Sequence, residues 1–192
     1  MILTGKEDLR VIRTIENIKA AFEEKICEKD YEKITVKEIC DSARINKKTF
    51  YHYYETLDFL LAEMQVELSS GYIDRVKDFK LPEELDKVNR EFFIFSAEQG
   101  LAYEKITCSV SYAGVRQEMI DKVLDNTWRK SEQFQKLDGL KQNLLINFIN
   151  TVSIGSYRQW VADGKTIPLE EIITLSNALI CNGANGFFAS IQ

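Results

Sequence analysis

From Leu57 onward, Leu60, Leu61, Met64, Leu68, Tyr72, Val76 and Phe79 recur at steps of three and four for about six turns. A strand would scatter these side chains over two faces, whereas a helix gathers them on one. Ile15, Ile18, Phe22 and Ile26 repeat the pattern near the start, and no strand-like alternation runs beyond four residues. With 2 prolines and 9 glycines, the turn chemistry of a many-stranded sandwich or barrel is also missing. The fold class is therefore all-α. Helices are expected near 8–28, 35–42, 46–53, 56–79, 83–99, 101–110, 114–134, 139–163 and 168–189.

Turn signals agree with these limits. Pro82 and Pro168 are each followed closely by two carboxylates, Glu83-Glu84 and Glu170-Glu171. Proline at a first helical position loses no hydrogen bond, and the carboxylates meet the positive end of the helix dipole. Gly100, Gly139 and Gly164 fall just past apolar-periodic stretches, where a helix can end in the left-handed conformation.

Composition narrows the function classes. A chain of 192 residues, 45% hydrophobic and 29% charged, suits one domain or a small module fused to a larger one. A net charge of −5 counts against a basic protein that wraps nucleic acid or coats a membrane. Cys27, Cys40, Cys108 and Cys181 are widely scattered, with a single histidine, so neither a disulfide scaffold nor a zinc site is expected. Scattered thiols suit a reduced cytoplasmic location. Met1 to Arg10 lacks the apolar run of a signal peptide. Ile172 to Gln192 carries no charge, but Asn177, Asn182, Asn185, Ser176 and Ser190 would be costly in lipid. That stretch reads as a helix buried in protein, with no membrane partner.

Ile34 to Leu61 holds the chemistry. Thr35 caps a short helix, with Glu38 completing a capping box. Val36, Ile39 and Ala43 share one side of it, and Asn46 caps a second short helix in which Phe50 and Tyr54 point one way. Two short helices joined by a tight turn and laid on a preceding amphipathic helix describe a helix-turn-helix. The exposed face of the second helix offers Lys47, Lys48, Thr49, Tyr51, His52 and Tyr53. Arg44 to Tyr54 carries three basic side chains and no acidic one, within a segment (residues 1–60) that holds 11 basic and 12 acidic groups. Such a focused positive spot suits duplex DNA, because lysines can reach guanine edges in the major groove while hydroxyls and backbone N–H groups hold phosphates. His52 has no partnered nucleophile or carboxylate, and no metal cluster or phosphate loop accompanies it, so the chain is not expected to be an enzyme or to need a cofactor.

Thr35-Val36 through Ile39, Ala43, Ile45-Asn46-Lys47, Thr49-Phe50-Tyr51-His52-Tyr53-Tyr54 and Thr56 to Leu61 resemble the DNA-binding domain of TetR/AcrR-type transcriptional regulators in order and spacing. The stretch from Gly155 through Arg158-Gln159-Trp160 and Gly164 to Pro168-Leu169-Glu170-Glu171 resembles their C-terminal halves. The resemblance implies a three-helix DNA-binding domain over residues 1–58 and a helical regulatory and dimerisation domain over 59–192. It implies that Asn46, Lys47 and Lys48 face bases and that Thr35, Thr49, Tyr51 and Tyr53 hold phosphates of a palindromic double-stranded operator. Arg44 stands where many members have glycine, and can add a phosphate contact. Leu57 stands where many have lysine, which removes one.

The body offers two further expectations. Leu140, Leu144, Leu145, Ile146, Phe148, Ile149, Val152 and Ile154 make the 139–163 helix apolar nearly all round, as expected of a helix buried on more than one side. The last helix mixes small residues with Leu175, Leu179, Phe187 and Phe188. Together these helices suit either an internal core or a homodimer interface through Phe148, Val152, Leu175, Leu179, Gly183 and Phe187; the family resemblance implies the second. Phe92, Phe95, Tyr103, Tyr112, Trp128, Phe148 and Tyr157 suit either a filled core or, as in the family, a pocket for a small-molecule effector. The expected function is a dimeric, ligand-responsive regulator, in the repressor sense. The alternative is a coactivator or adaptor of the same fold that works through protein contacts.

Overall fold

The computed structural model describes residues 8–190, so most of the Met1–Arg10 reading lies outside the described residues. Ten α-helices follow one another, and no strand occurs among the described residues. They are α1 (Leu9–Glu28), α2 (Val36–Ala43), α3 (Lys47–Tyr53), α4 (Leu57–Val76), α5 (Leu85–Glu98), α6 (Leu101–Cys108), α7 (Ala113–Asn126), α8 (Glu132–Gln135), α9 (Gly139–Ala162) and α10 (Leu169–Ala189). Single 3-10 turns stand at Tyr31–Lys33, Val110–Tyr112 and Trp128–Lys130.

Three expectations are corrected. The helix expected over 114–134 is broken in two. The Asn126 amide and Thr127 hydroxyl bond back to the carbonyls of Lys122 and Val123, Thr127 leaves helical geometry, and Ser131 caps α8. The break lets the Trp128 and Phe134 rings meet at a tilt, 5.8 Å apart, in the core. Pro82 sits in a turn ahead of α5 rather than at its first position, because Glu84 reaches back to the Lys80 N–H and closes that turn. Of the three glycines, Gly164 takes a left-handed φ of 70°, while Gly139 opens α9 behind an Asp138 cap.

The chain divides into two packed units. The first runs to Leu68 and adds Leu101–Gln117; the second comprises Ser69–Gly100 and the chain from Glu118. In the first, α1 lies against α2 and α6. Ile15, Ile18, Phe22 and Ile26 meet Ile39, Phe50, Tyr54, Leu60 and Tyr112 in one core. In the second, α5, α9 and α10 pack on one another around Leu85, Val88, Leu145, Ile149, Ile180 and Ala184. Gly183 allows the α9–α10 approach, since a Cβ there would stand 2.3 Å from the Phe148 ring. A buried polar cluster crosses the same three helices. The Asn89 amide donates to Ser176 at 3.0 Å and Asn177 at 2.8 Å, and its oxygen accepts from Ser153 at 2.7 Å.

Within this chain, helices α9 and α10 bury one face each. Ile173, Ser176, Ile180 and Ala184 point inward, whereas Leu175 is 51% and Leu179 62% exposed, as are Leu140 and Leu144 on α9. By length and composition α10 could cross a membrane, with only 22% of its apolar window buried within this chain.

Candidate nucleic-acid interface

The short helices of the first unit begin and end on local side-chain chemistry. The Thr35 hydroxyl accepts from the Glu38 N–H at 3.3 Å, and the Glu38 carboxylate accepts from the Thr35 N–H at 3.0 Å. This is the expected capping box. Lys29 bonds the other Glu38 oxygen, and with Thr35 it holds the Glu38 carboxyl down at about 2. At the end of α2, Arg44 turns left-handed (φ 56°, ψ 45°), and the Ile45 N–H donates to Cys40 O at 3.0 Å. Asn46 then caps α3, its oxygen accepting from the Thr49 N–H at 2.8 Å and the Thr49 hydroxyl at 3.1 Å.

These caps orient the expected face. Phe50 and Tyr54 are buried, so the opposite side of α3 is open to solvent. Arg44, Asn46, Lys47, Lys48, Tyr51 and His52 are exposed, as is Thr35 at the head of α2. Thr49 is half-buried beside Asn46. Tyr53 is half-buried against the core, with its ring edge toward His52 at 4.9 Å. Asn46 and Thr49 thus already spend polar capacity on the cap, while Lys47 and Lys48 spend none on it.

Part of the unit's positive charge is neutralised within it, and part, including Arg10 and Arg13 on α1, is left exposed without an ion pair among the described residues. Lys19, Lys25, Lys29 and Lys33 each pair with a carboxylate. Lys37, Arg44, Lys47 and Lys48 make no ion pair among the described residues. An exposed, unneutralised cation keeps its full attraction for phosphate. Lys37, in the first turn of α2 beside the Thr35 cap, is the member that sequence reasoning missed. Its position two residues after a capping threonine was the available signal. Leu57 packs against the first core, and the neighbouring Asp58 accepts a hydrogen bond from the Tyr31 hydroxyl. The start of α4 therefore presents no cation.

The expected effector residues are divided between the two units. Phe92, Phe95 and Tyr157 meet Tyr72 and Phe93 edge-to-face or tilted, at ring separations of 5.5–6.3 Å. Trp128 and Phe148 belong to the second core. Tyr103 and Tyr112 lie in the first unit, where burial and nearby Asp30 and Glu32 push the Tyr112 hydroxyl up to about 12. Within the second unit a cleft of about 390 Å³ lies between Leu85, Asp86, Gln133, Cys181 and Phe188, which are not among the seven expected positions. No cluster suited to a metal ion occurs among the described residues.

Residues 18–64, from the middle of α1 into α4, match the family model of bacterial regulatory proteins, tetR family. Those residues form a tetR-type helix-turn-helix domain. The match spans the helix-turn-helix and part of the helix before it. The chain is 27% identical over 171 residues to the uncharacterized HTH-type transcriptional regulator YxbF of Bacillus subtilis (strain 168). That match covers 85% of this chain and 43% of YxbF, so the chain spans less than half the length of that relative. The fold recurs in a TetR transcriptional regulator from Streptococcus agalactiae 2603V, with a TM-score of 0.70, 16% identity and coverage of 89% of this chain and 95% of that one. It recurs again in a tetR-family transcriptional regulator from Streptomyces coelicolor, with a TM-score of 0.58, 16% identity and coverage of 93% and 83%.

Proposed function

We propose that this chain is a TetR-type regulator that works in the cytoplasm as a homodimer, reads a palindromic operator through the exposed face of α3 and represses the adjoining gene. The carrying observation is the set of unpaired cations, Arg44, Lys47 and Lys48, held at the turn and first positions of a helix whose back is buried. Lys47 and Lys48 reach bases; Thr35, Arg44, Tyr51 and Tyr53 meet phosphates, with His52 beside them. Residues 1–58 supply this reading domain, and residues 59–192 supply regulation and pairing. A two-fold dimer would set two such helices about one DNA turn, ~34 Å, apart. The exposed Leu175 and Leu179 of α10 and the α9 residues Leu140 and Leu144 support pairing of two copies there, with Phe148, Val152, Gly183 and Phe187 as the further contacts of the proposed interface. A small molecule bound in the 59–192 body would release the operator by its differential affinity for the two states.

Selection of bound duplexes from a random pool tests this. A palindrome should emerge, and Lys47→Ala with Lys48→Ala should abolish its enrichment. Binding that ignores the double substitution would remove α3 as the reader. The start of α4 favours a second reading as an adaptor, since Leu57 turns inward and Phe59 is 58% exposed next to Asp58. A stable protein partner together with no DNA retardation at low salt would select that reading.

A further inference from the structure

Beneath the recognition helix lies a buried carboxylate that DNA contact does not use. Glu63, on the second turn of α4, is 8% exposed. One of its oxygens accepts from the Tyr54 hydroxyl at 3.0 Å and lies 3.0 Å from the Lys19 ammonium, which also reaches Glu67 one turn further on. Tyr54 is the residue that closes α3. Its N–H donates to Phe50 O, it is 1% exposed, and its ring lies 5.9 Å from that of Phe50. One carboxylate thus ties the end of the recognition helix and the middle of α1 to α4. Burial, then the bond to Glu63, raises the Tyr54 hydroxyl above its ordinary range, so it stays a donor. An apolar residue could fill the same space without the cost of desolvating a charge. What it could not supply is direction: ring and aliphatic contacts tolerate rocking, whereas a buried hydrogen-bonded network fixes one arrangement.

We propose that Glu63 is a positioning residue that fixes the angle between α3 and α4, and so the half-site spacing that a dimer accepts; this rests on the DNA-reading dimer proposed above. Helix α4 is the path by which the chain leaves the reading head, running unbroken from Leu57 to Val76. A head free to rock on it would meet half-sites at more than one separation.

The test uses the full chain and the operator selected by the wild type, rebuilt with its central spacer one base pair shorter or longer. Fluorescence anisotropy compares the wild type, Tyr54→Phe, Glu63→Gln and, as a control for lost stability, Ile15→Val in the core of the same unit. The wild type should lose about tenfold in affinity or more on either altered spacer, the scale of a base mismatch. Tyr54→Phe and Glu63→Gln should compress that to about threefold or less with half-site preference unchanged, and Ile15→Val should keep the wild-type ranking. Should Tyr54→Phe fail to fold, Glu63→Gln, which keeps an acceptor for Tyr54 but no charge for Lys19, carries the comparison. Variants that rank spacers as the wild type does overturn the proposal, whatever their melting temperatures. A wild type that selects no sequence overturns the DNA reading itself, and this inference with it.

Discussion

Arg44→Gly should raise stability and lower DNA affinity at once. Arg44 holds φ at 56° and ψ at 45° to let α2 turn into α3. A left-handed conformation costs an L-residue roughly 1 kcal/mol or more, which glycine does not incur. Glycine's greater freedom in the unfolded chain returns about 0.5–1 kcal/mol of that gain. The net is a stabilisation of about 0.5 kcal/mol, or roughly 1–2 °C in Tm for a chain of this size. If the exposed, unpaired guanidinium holds one phosphate, its loss should cut the slope of log K against log salt by about 0.9. Thermal unfolding and anisotropy titrations at several salt concentrations read the two effects separately. Arg44→Ala isolates the charge, since it keeps a left-handed L-residue and should lower the slope without raising Tm. A lower Tm for Arg44→Gly would refute the strain argument, and an unchanged slope would remove Arg44 from the interface.

Three other perturbations probe the body and the caps. Leu175→Lys with Leu179→Lys should leave the helical content intact and convert dimer to monomer in sedimentation velocity; each exposed leucine is worth about 1.5–3 kcal/mol when buried by a partner. A wild type that sediments as a monomer at high concentration would end the dimer reading. Asn89→Leu should cost about 2 kcal/mol or more in chemical denaturation, because the Ser153 and Ser176 hydroxyls lose their partner inside the second unit. Near-neutral stability would show that they rebond elsewhere. Glu38, with its carboxyl held at about 2 against an ordinary 4.5, stabilises the fold above pH 4.5 and loses that contribution as pH falls toward 2. Glu38→Gln should flatten this part of the stability profile, and an identical acid limb in both proteins would contradict the assignment.

Local chemistry was legible where it depends on neighbours in the chain. The Thr35–Glu38 box, the Asn46 cap and the burial of Phe50 and Tyr54 each follow from residues within a turn or two. The break at Thr127 was also written locally, in Asn126, Thr127 and Ser131, but an apolar period running through it masked the signal. The placement of the seven aromatics named for an effector pocket is the opposite case. Aromatic residues at helical spacing fill a core and line a cavity equally well, and only packing sends Tyr112 to one unit and Tyr157 to the other.

The sequence by itself determined the helices and the reading motif, because periodicity, caps and the Arg44–Tyr54 charge pattern act over a few residues. Charge composition pointed away from DNA, but it is a sum, and binding depends on which cations remain unpaired. The tertiary structure decided that. It brought Lys19 to Glu63 and Glu67, and Lys29 to Glu38, leaving Lys37, Arg44, Lys47 and Lys48 in water, as it also leaves Arg10 and Arg13. It also placed Leu101–Gln117 with the first unit and left Leu175 and Leu179 uncovered. Contacts between residues far apart in the chain are chosen by the packing of whole helices, and no local window of sequence contains that choice.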